Sequence, residues 1–264
     1  MPPSPDRAGV RLMLNKVPEV SLIFWVIKIM STTVGETGSD YLTLHVGLGV
    51  LLTDALMLCL LVGAMTLQLR ADRYIPWRYW LSVVLVSVVG TEITDFLTDR
   101  LHVSLYASTV GFAVLLGIAF TVWYRSERTL SIHTIVTRKR ELFYWSAILC
   151  TFALGTAAGD LATEALALGF RLGVVIFGGM IAATTYAYYR GANPILTFWI
   201  AYVLTRPLGA SLGDLLSQHH ADGGLGLGTI GTSACFLAVI VAAVAWLSRP
   251  ALAPRALSQH AGQD

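Results

Sequence analysis

Aspartate recurs at a fixed distance from tryptophan along this 264-residue chain. A glycine stands ten residues after each of four tryptophans, and an aspartate stands fifteen residues after each. The tryptophans are Trp25, Trp80, Trp145 and Trp199, the glycines Gly35, Gly90, Gly155 and Gly209, and the aspartates Asp40, Asp95, Asp160 and Asp214. Four carboxylates in register could form a ring that concentrates cations. The alternative is structural: each aspartate caps the following helix or bonds the backbone of a neighbouring repeat.

Other charged residues lie inside long apolar stretches, where ionisable groups are costly and usually face the interior of a helix bundle. A spacing of four residues from Lys28 through Thr32 and Glu36 to Asp40 predicts one polar stripe on a helix. Arg206 and Asp214 predict a matching stripe near the end of the chain. The candidate site residues are Lys28, Thr32, Thr33, Glu36, Asp40, Asp54, Glu92, Asp95, Asp160, Arg206 and Asp214.

Lys28 and Arg206 belong to the first and last repeats, which a closed ring of repeats would bring together. Each is expected to pair with a carboxylate, because a lone buried charge is expensive; purely structural ion pairs are the alternative to a site. Ten acids lie within or beyond the apolar spans, and this surplus favours a path for protons or a hard divalent cation such as manganese. Weaker metal candidates are Glu36, Asp40, His219 and His220, the histidines being more typical of a solvated loop.

The elements that position these residues follow from composition. The chain is 55% hydrophobic and 13% charged, whereas soluble domains carry about 25% charged residues. This excludes a disordered chain, a basic nucleic-acid-binding domain and a small disulfide scaffold, and it predicts an all-α membrane protein. Eight stretches have the length of a membrane-spanning helix: Val20–Leu42, Leu44–Leu67, Ile75–Leu97, Val103–Trp123, Leu142–Ala165, Leu168–Tyr189, Pro194–Leu216 and Gly228–Leu247.

The placement of lysine and arginine predicts the orientation of these spans. Segments on one side of the membrane hold 14 of the 18 basic residues, so both termini are expected in the cytoplasm. The first nineteen residues lack the apolar region of a cleavable signal peptide, and the first span itself would direct insertion. The three cysteines lie in different spans and predict neither a disulfide nor a metal-thiolate site.

The tryptophan-glycine-aspartate pattern divides one membrane domain, residues 1–264, into four repeats. Their approximate bounds are 16–70, 71–125, 136–190 and 191–249, with a cytoplasmic linker over 125–141. Each repeat is a pair of spans, so all four share one membrane orientation and are parallel, which disfavours an inverted-repeat transporter. The tryptophans are expected to anchor the helices at the membrane interface, and the glycines to permit close helix packing. Pro207 should kink or open the seventh span.

The sequence motifs of the first and last repeats resemble those of a known family. Lys16-Val-Pro-Glu-Val, Thr32-Thr33-Val34-Gly35-Glu36 and Thr205-Arg206-Pro207-Leu208-Gly209 are similar to motifs of a bacterial membrane-protein family. Proteins of that family contain a unit of unknown function that is repeated four times, and each unit holds two transmembrane segments. The resemblance covers residues 16–248 and implies the topology, but it implies no activity. The middle repeats lack the Thr-Thr-x-Gly-Glu motif.

The resulting functional expectation is transport in the bacterial cytoplasmic membrane. The transported species is a cation or a cation-coupled solute, and the polar segments around Thr32 and Arg206 are the expected site. A membrane-embedded enzyme and a non-transporting sensor or scaffold are the alternatives, although no catalytic motif is present. The expected partners are the lipid bilayer and a small ion or solute, with no nucleic acid, and a homo-oligomer is compatible with the small-residue-rich outer faces. No cofactor is expected beyond a bound cation.

Overall fold

The described part of the chain folds into eight long α-helices joined by short connections. The computed structural model describes residues 15–44, 49–166 and 168–249, and their side chains except those at 36–44, 164, 165 and 222. The helices are α1 (Leu22–Leu44), α2 (Val50–Leu69), α3 (Pro76–Asp95), α4 (Leu105–Glu127), α5 (Arg138–Asp160), α6 (Gly169–Tyr189), α7 (Pro194–Ser217) and α8 (Thr229–Leu247). Over the described ranges there is no β-strand, which confirms the all-helical expectation.

Seven of these helices, α2 to α8, are long and apolar enough to cross a membrane. In α1 the described apolar part is shorter, Leu22–Gly35. The helix ends lie within a few residues of the expected spans, because proline and capping residues mark several of them. Pro76 and Pro194 stand in the first turns of α3 and α7, and Asn193 accepts hydrogen bonds from two backbone amides of α7.

The odd-numbered helices form an inner bundle, and the even-numbered helices surround it. α1 packs against α3 and α7, and α5 packs against the same two helices from the other side. On the outside, α2 packs against α3, α4 against α5, α6 against α7, and α8 against α1. Each outer helix therefore contacts the inner helix of the next repeat more extensively than its own, and α8 closes the ring on the first repeat.

Because the outer helices surround the inner bundle, the inner helices are buried and the outer helices expose apolar side chains. Large apolar side chains on the outer helices are exposed, for example Leu51 on α2, Val110 on α4, Val175 on α6 and Ile230 on α8. The inner helices contribute most of the buried core, including Ile27, Val83 and Ile148. An apolar surface of this kind is covered by lipid tails in a membrane, so the fold is consistent with membrane insertion.

The four repeat glycines sit where neighbouring inner helices approach most closely. Each faces the residue that stands seven positions after the tryptophan of the next repeat: Gly35 faces Ser87, Gly90 faces Phe152, Gly155 faces Arg206 and Gly209 faces Thr32. A Cβ atom on Gly90 would lie only 2.7 Å from the Cβ of Phe152. The expected close packing at these glycines is therefore observed, and it runs around the whole ring.

Aromatic side chains make a second ring of contacts at the tryptophan end of the bundle. The residue before each tryptophan contacts the tryptophan of the next repeat, with ring centroids 5.5 to 6.2 Å apart. The pairs are Phe24 with Trp80, Tyr79 with Trp145, Tyr144 with Trp199 and Phe198 with Trp25. Trp80, Trp145 and Trp199 are buried in this layer, so these three side chains pack against neighbouring repeats, and their place at the membrane interface stays a prediction.

Pro207 does not interrupt its helix. α7 is continuous from Pro194 to Ser217, and the side chain of Pro207 packs against Gly155 and Gly159 of α5. The expectation that this span opens at Pro207 is therefore wrong. Helical irregularity appears elsewhere, as π-helical turns at Phe96–Arg100 and Leu161–Ala165, directly after α3 and α5.

Candidate charged site in the inner bundle

Lys28 lies inside the inner bundle at the level between the aromatic layer and the repeat glycines. Its side chain is 1% exposed, and its Nζ has no hydrogen-bond partner among the described residues. The Nζ instead lies 3.8 Å from the ring centre of Phe152 on α5 and 4.3 Å from that of Tyr202 on α7. The faces of aromatic rings attract a cation, but less strongly than a carboxylate does. Lys28 is therefore a basic group held where α1, α5 and α7 converge.

Arg206 on α7 reaches all three other inner helices. Its Nε donates to Thr156 Oγ1 of α5 at 3.0 Å, and its Nη1 donates to the carbonyl oxygen of Thr32 on α1 at 3.1 Å. Its Nη2 donates to Thr91 Oγ1 of α3. Because the guanidinium is planar and presents its donors in fixed directions, these bonds also fix its orientation. Arg206 is 1% exposed and is among the largest fully buried side chains described.

The ring closure brings Lys28 and Arg206 together, as their positions in the first and last repeats suggest. The two groups are close enough for their charges to interact. Thr32 Oγ1 donates to the carbonyl oxygens of Ile29 and Thr205, so α1 is bonded directly to α7 beside them. The contacts described for the two side chains include threonine hydroxyls and a backbone carbonyl at Arg206 and aromatic rings at Lys28. The carboxylate that was expected to pair with Lys28 is absent from the described part of the chain.

The acidic candidates are distributed around this centre. The side chains of Glu36 and Asp40 lie outside the described residues. Glu92 on α3 is 6% exposed, and its Oε1 has no hydrogen-bond partner within the described ranges. Asp54 on α2 is close enough to Glu92 for their charges to interact, and Arg100 is close enough to attract Asp54. These three residues form a charged group between α2 and the end of α3.

The repeat aspartates Asp95, Asp160 and Asp214 are half-buried in the last turns of their helices. None of the three is the N-cap residue of the helix that follows. Ser104 is the N-cap residue of α4, and its side chain accepts from the amide of Ala107, whereas the N-cap residues of α6 and α8 make no side-chain cap. A bond from these aspartates to the following helix or to a neighbouring repeat stays a prediction. Asp95 and Asp160 stand directly before the two π-helical turns.

A metal site is not formed by the residues whose positions are described. No group of three histidine, cysteine or acidic side chains among them could hold a metal ion. His219 and His220 are exposed after α7, and Nδ1 of His220 lies 3.0 Å from the carbonyl oxygen of Gly224, a contact that holds the loop. The side chains of Glu36 and Asp40, the other two metal candidates, lie outside the described residues.

Several residues of the site are not among the candidate site residues from the sequence. Thr91 and Thr156, which bind Arg206, stand eleven residues after their tryptophans, as Glu36 does in the first repeat. That shared register was a signal that could have identified them. Phe152 had no such signal, because a phenylalanine in an apolar span is ordinary core.

A second buried charge network lies beyond the aromatic layer. Lys16 Nζ is 2.8 Å from Glu141 Oε2, and Gln68 Nε2 donates to Glu141 Oε1 at 2.9 Å. The linker between α4 and α5 joins this region, because Lys16 N donates to the carbonyl oxygen of Ile135 and Trp199 Nε1 donates to that of Leu130. The linker, expected only to be basic, is therefore packed against the end of the inner bundle.

The fold and the buried charges define a helical protein of four tandem two-helix repeats with helices of membrane-spanning length. The chain belongs to the family described as Repeat of Unknown Function (DUF347), whose model matches residues 23–74, 78–129, 143–192 and 197–251. This confirms the family resemblance carried by the first and last repeats. No curated protein and no solved structure matches the chain.

Proposed function

We propose that the protein is a membrane transporter that moves a cation-coupled solute along the axis of the inner bundle. The observation that carries this proposal is Lys28, a fully buried basic side chain without a hydrogen-bond partner among the described residues. A charge inside a membrane bundle is costly, and such residues commonly mark the path of a substrate or an ion. A purely structural lysine at this depth would be expected to have an ionic partner.

The charges on the axis favour a coupled solute over a bare metal ion. Lys28, whose Nζ has no hydrogen-bond partner among the described residues, would repel a cation that passed between the inner helices. The coupling cation, a proton or a metal ion, would instead use the acids beside the axis. Glu92 and Asp54 are the described candidates, and Glu36 and Asp40 are candidates by sequence.

The proposed membrane arrangement keeps the orientation that the basic residues predict. All eight helices, α1 included, cross the bacterial cytoplasmic membrane, and the four repeats run in one direction. The aromatic layer and the Lys16–Glu141 network then lie on the cytoplasmic side with both termini. The basic residues on this side, such as Arg73 and Arg138, support this orientation. The repeat aspartates lie towards the opposite surface.

Reconstituted proteoliposomes test the proposal directly. Vesicles with a trapped pH-sensitive dye are given an inward proton gradient and a panel of organic acids, amino acids, inorganic anions and divalent metals. We expect proton entry that depends on one solute class and exceeds the rate in protein-free vesicles. Glu92→Gln should reduce this entry at least tenfold, because it removes a buried proton-binding group.

Asp72→Asn is the matched control, because Asp72 is an exposed acid in the loop between α2 and α3. It should transport as the wild type does. Rates equal to those of protein-free vesicles for the whole panel would contradict the transport proposal. Transport with an unchanged rate in Glu92→Gln would leave transport standing and remove Glu92 from the path.

A further inference from the structure

We infer that Lys28, beside the fixed guanidinium of Arg206, binds a small anion, either an inorganic halide or the carboxylate of an organic solute. The inference rests on the proposed function, since it names the class of solute that the same axis would carry. It adds a ligand chemistry that neither the buried acids nor the repeat pattern indicates.

The charge of Lys28 is the first feature that favours an anion. Lys28 and Arg206 are each 1% exposed, and Lys28 lies within range of the charge of Arg206. The ammonium group of Lys28 has lost its hydration in a low-dielectric interior, and its Nζ has no hydrogen-bond partner among the described residues. An anion beside Lys28 neutralises this charge and replaces the hydration that the group has lost.

The donors of Lys28 are the second feature that favours an anion. Lys28 Nζ carries hydrogen-bond donors that no described residue accepts, and the ring faces of Phe152 and Tyr202 lie beside it. Ring faces attract the ammonium group but fill none of its hydrogen-bonding capacity in the way an oxygen or halide does. An acceptor from outside the described chain is therefore the chemical complement of this side chain.

The guanidinium of Arg206, on the opposite wall of the site, is held rigidly. Thr156, Thr91 and the Thr32 carbonyl hold the guanidinium of Arg206 from three helices. A basic group fixed in this way is preorganised, so binding an anion does not require it to be ordered first. Because both basic groups are fully buried, a small anion suits the site better than a large one, and its entry requires the inner helices to move.

Thermal unfolding of the full chain in detergent tests this inference without any gradient. Ionic strength is held constant with a bulky sulfonate, sodium isethionate, while chloride or acetate replaces it stepwise. We expect a saturable rise in Tm of about 5 °C when the better anion reaches a hundredfold excess over its Kd. Chloride as the active anion identifies a halide site, and acetate identifies the carboxylate of an organic solute.

Lys28→Met keeps the length of the side chain and removes its charge. The variant should lose the anion-dependent rise, whereas Lys139→Met, which changes an exposed lysine, should keep it. Lys28→Gln replaces Lys28→Met as the neutral variant if Lys28→Met does not fold. Lys28→Arg keeps the positive charge and should retain the anion-dependent rise in Tm. Equilibrium binding of radiolabelled chloride or acetate to the wild type should follow a single-site isotherm and disappear in the neutral variants.

A wild-type Tm that is independent of both anions overturns the inference, and an equal response in the wild type and both neutral variants overturns it too. In the first case an internal carboxylate, with Glu36 the nearest by sequence, neutralises Lys28. These failures are distinct from failure of the transport proposal. Anion binding without solute movement in proteoliposomes would contradict transport alone, and solute movement without anion binding would contradict the anion site alone.

Discussion

Thr33 donates a hydrogen bond of 2.9 Å to the carbonyl oxygen of Gly209, and this bond joins the first repeat to the fourth. It lies beside the contact between Gly209 and Thr32, which is the last of four equivalent glycine contacts around the inner bundle. The repeats therefore do not form a linear array with free ends. They close on themselves, and the closure places Lys28 and Arg206 together.

Substitution of a repeat glycine should destabilise the ring. Gly90→Ala places a Cβ 2.7 Å from the Cβ of Phe152, so α3 and α5 must separate. Overpacking of this kind costs about 1–3 kcal/mol, to be measured by thermal unfolding in detergent. Gly117→Ala on α4 is the control, because no atom lies within 4 Å of the added Cβ. A similar loss of stability in both variants would contradict the packing role of Gly90.

Removal of a threonine that binds Arg206 should weaken the link between inner helices. Thr156→Val preserves the shape of the side chain but removes the oxygen that accepts from Arg206 Nε. A hydrogen bond to a charged group contributes about 1.5–3 kcal/mol, so unfolding should become easier by that amount.

Thr121→Val is the matched control for this change. Its hydroxyl donates only to a carbonyl of its own helix, that of Gly117, and it faces outward on α4. Its effect should stay within about 0.5 kcal/mol. Equal effects of the two substitutions would show that the bond to Arg206 contributes no stability.

Loss of one partner of the Lys16–Glu141 pair should strongly destabilise the fold, because the pair is buried. Glu141→Gln leaves the ammonium group of Lys16 without its carboxylate at 6% side-chain exposure, which costs about 3–5 kcal/mol. The double variant Lys16→Met/Glu141→Gln should recover much of this loss, because the uncompensated charge is gone. A double-mutant cycle by thermal unfolding measures the coupling. Additive effects of the two single changes would contradict a direct pairing.

Stability should fall in strongly alkaline solution partly because of Tyr74. Burial raises the pKa of Tyr74 to about 12, whereas an unfolded tyrosine has a pKa of about 10. The folded chain therefore holds this proton more tightly, so the stabilisation is complete below pH 10 and is lost as the pH rises from about 10 to 12.

Tyr74→Phe keeps the ring that packs against Tyr79, with centroids 5.8 Å apart, and removes the titrating hydroxyl. Unfolding of both proteins is followed between pH 8 and 12. The variant should show a shallower loss of stability above pH 10. Parallel pH profiles would exclude Tyr74 as a contributor.

The sequence was sufficient to predict the helices and their register. Apolar length predicted the spans, as in α6, where the expected stretch and the observed helix differ by one residue at the start. The repeated tryptophan, glycine and aspartate predicted four equivalent units, because local spacing on a helix determines which residues share a face.

The partners of each side chain required the tertiary structure. Trp80 has the position of an interfacial anchor in sequence, yet it is buried against Phe24 of the preceding repeat. Pro207 has the sequence of a helix breaker, yet α7 continues through it against Gly155 and Gly159. In both cases the deciding contact is with a distant helix, and the hydropathy of the local segment carries no information about it.

An all-helical chain of four similar units, with a few charges inside apolar segments, can be recognised from the amino-acid sequence alone. The folded chain adds that each outer helix packs on the next repeat, that α8 closes the ring on α1, and that Lys28 and Arg206 therefore share one interior. Spacing along a helix sets the direction of a side chain, whereas the packing of helices remote in sequence sets what that side chain contacts.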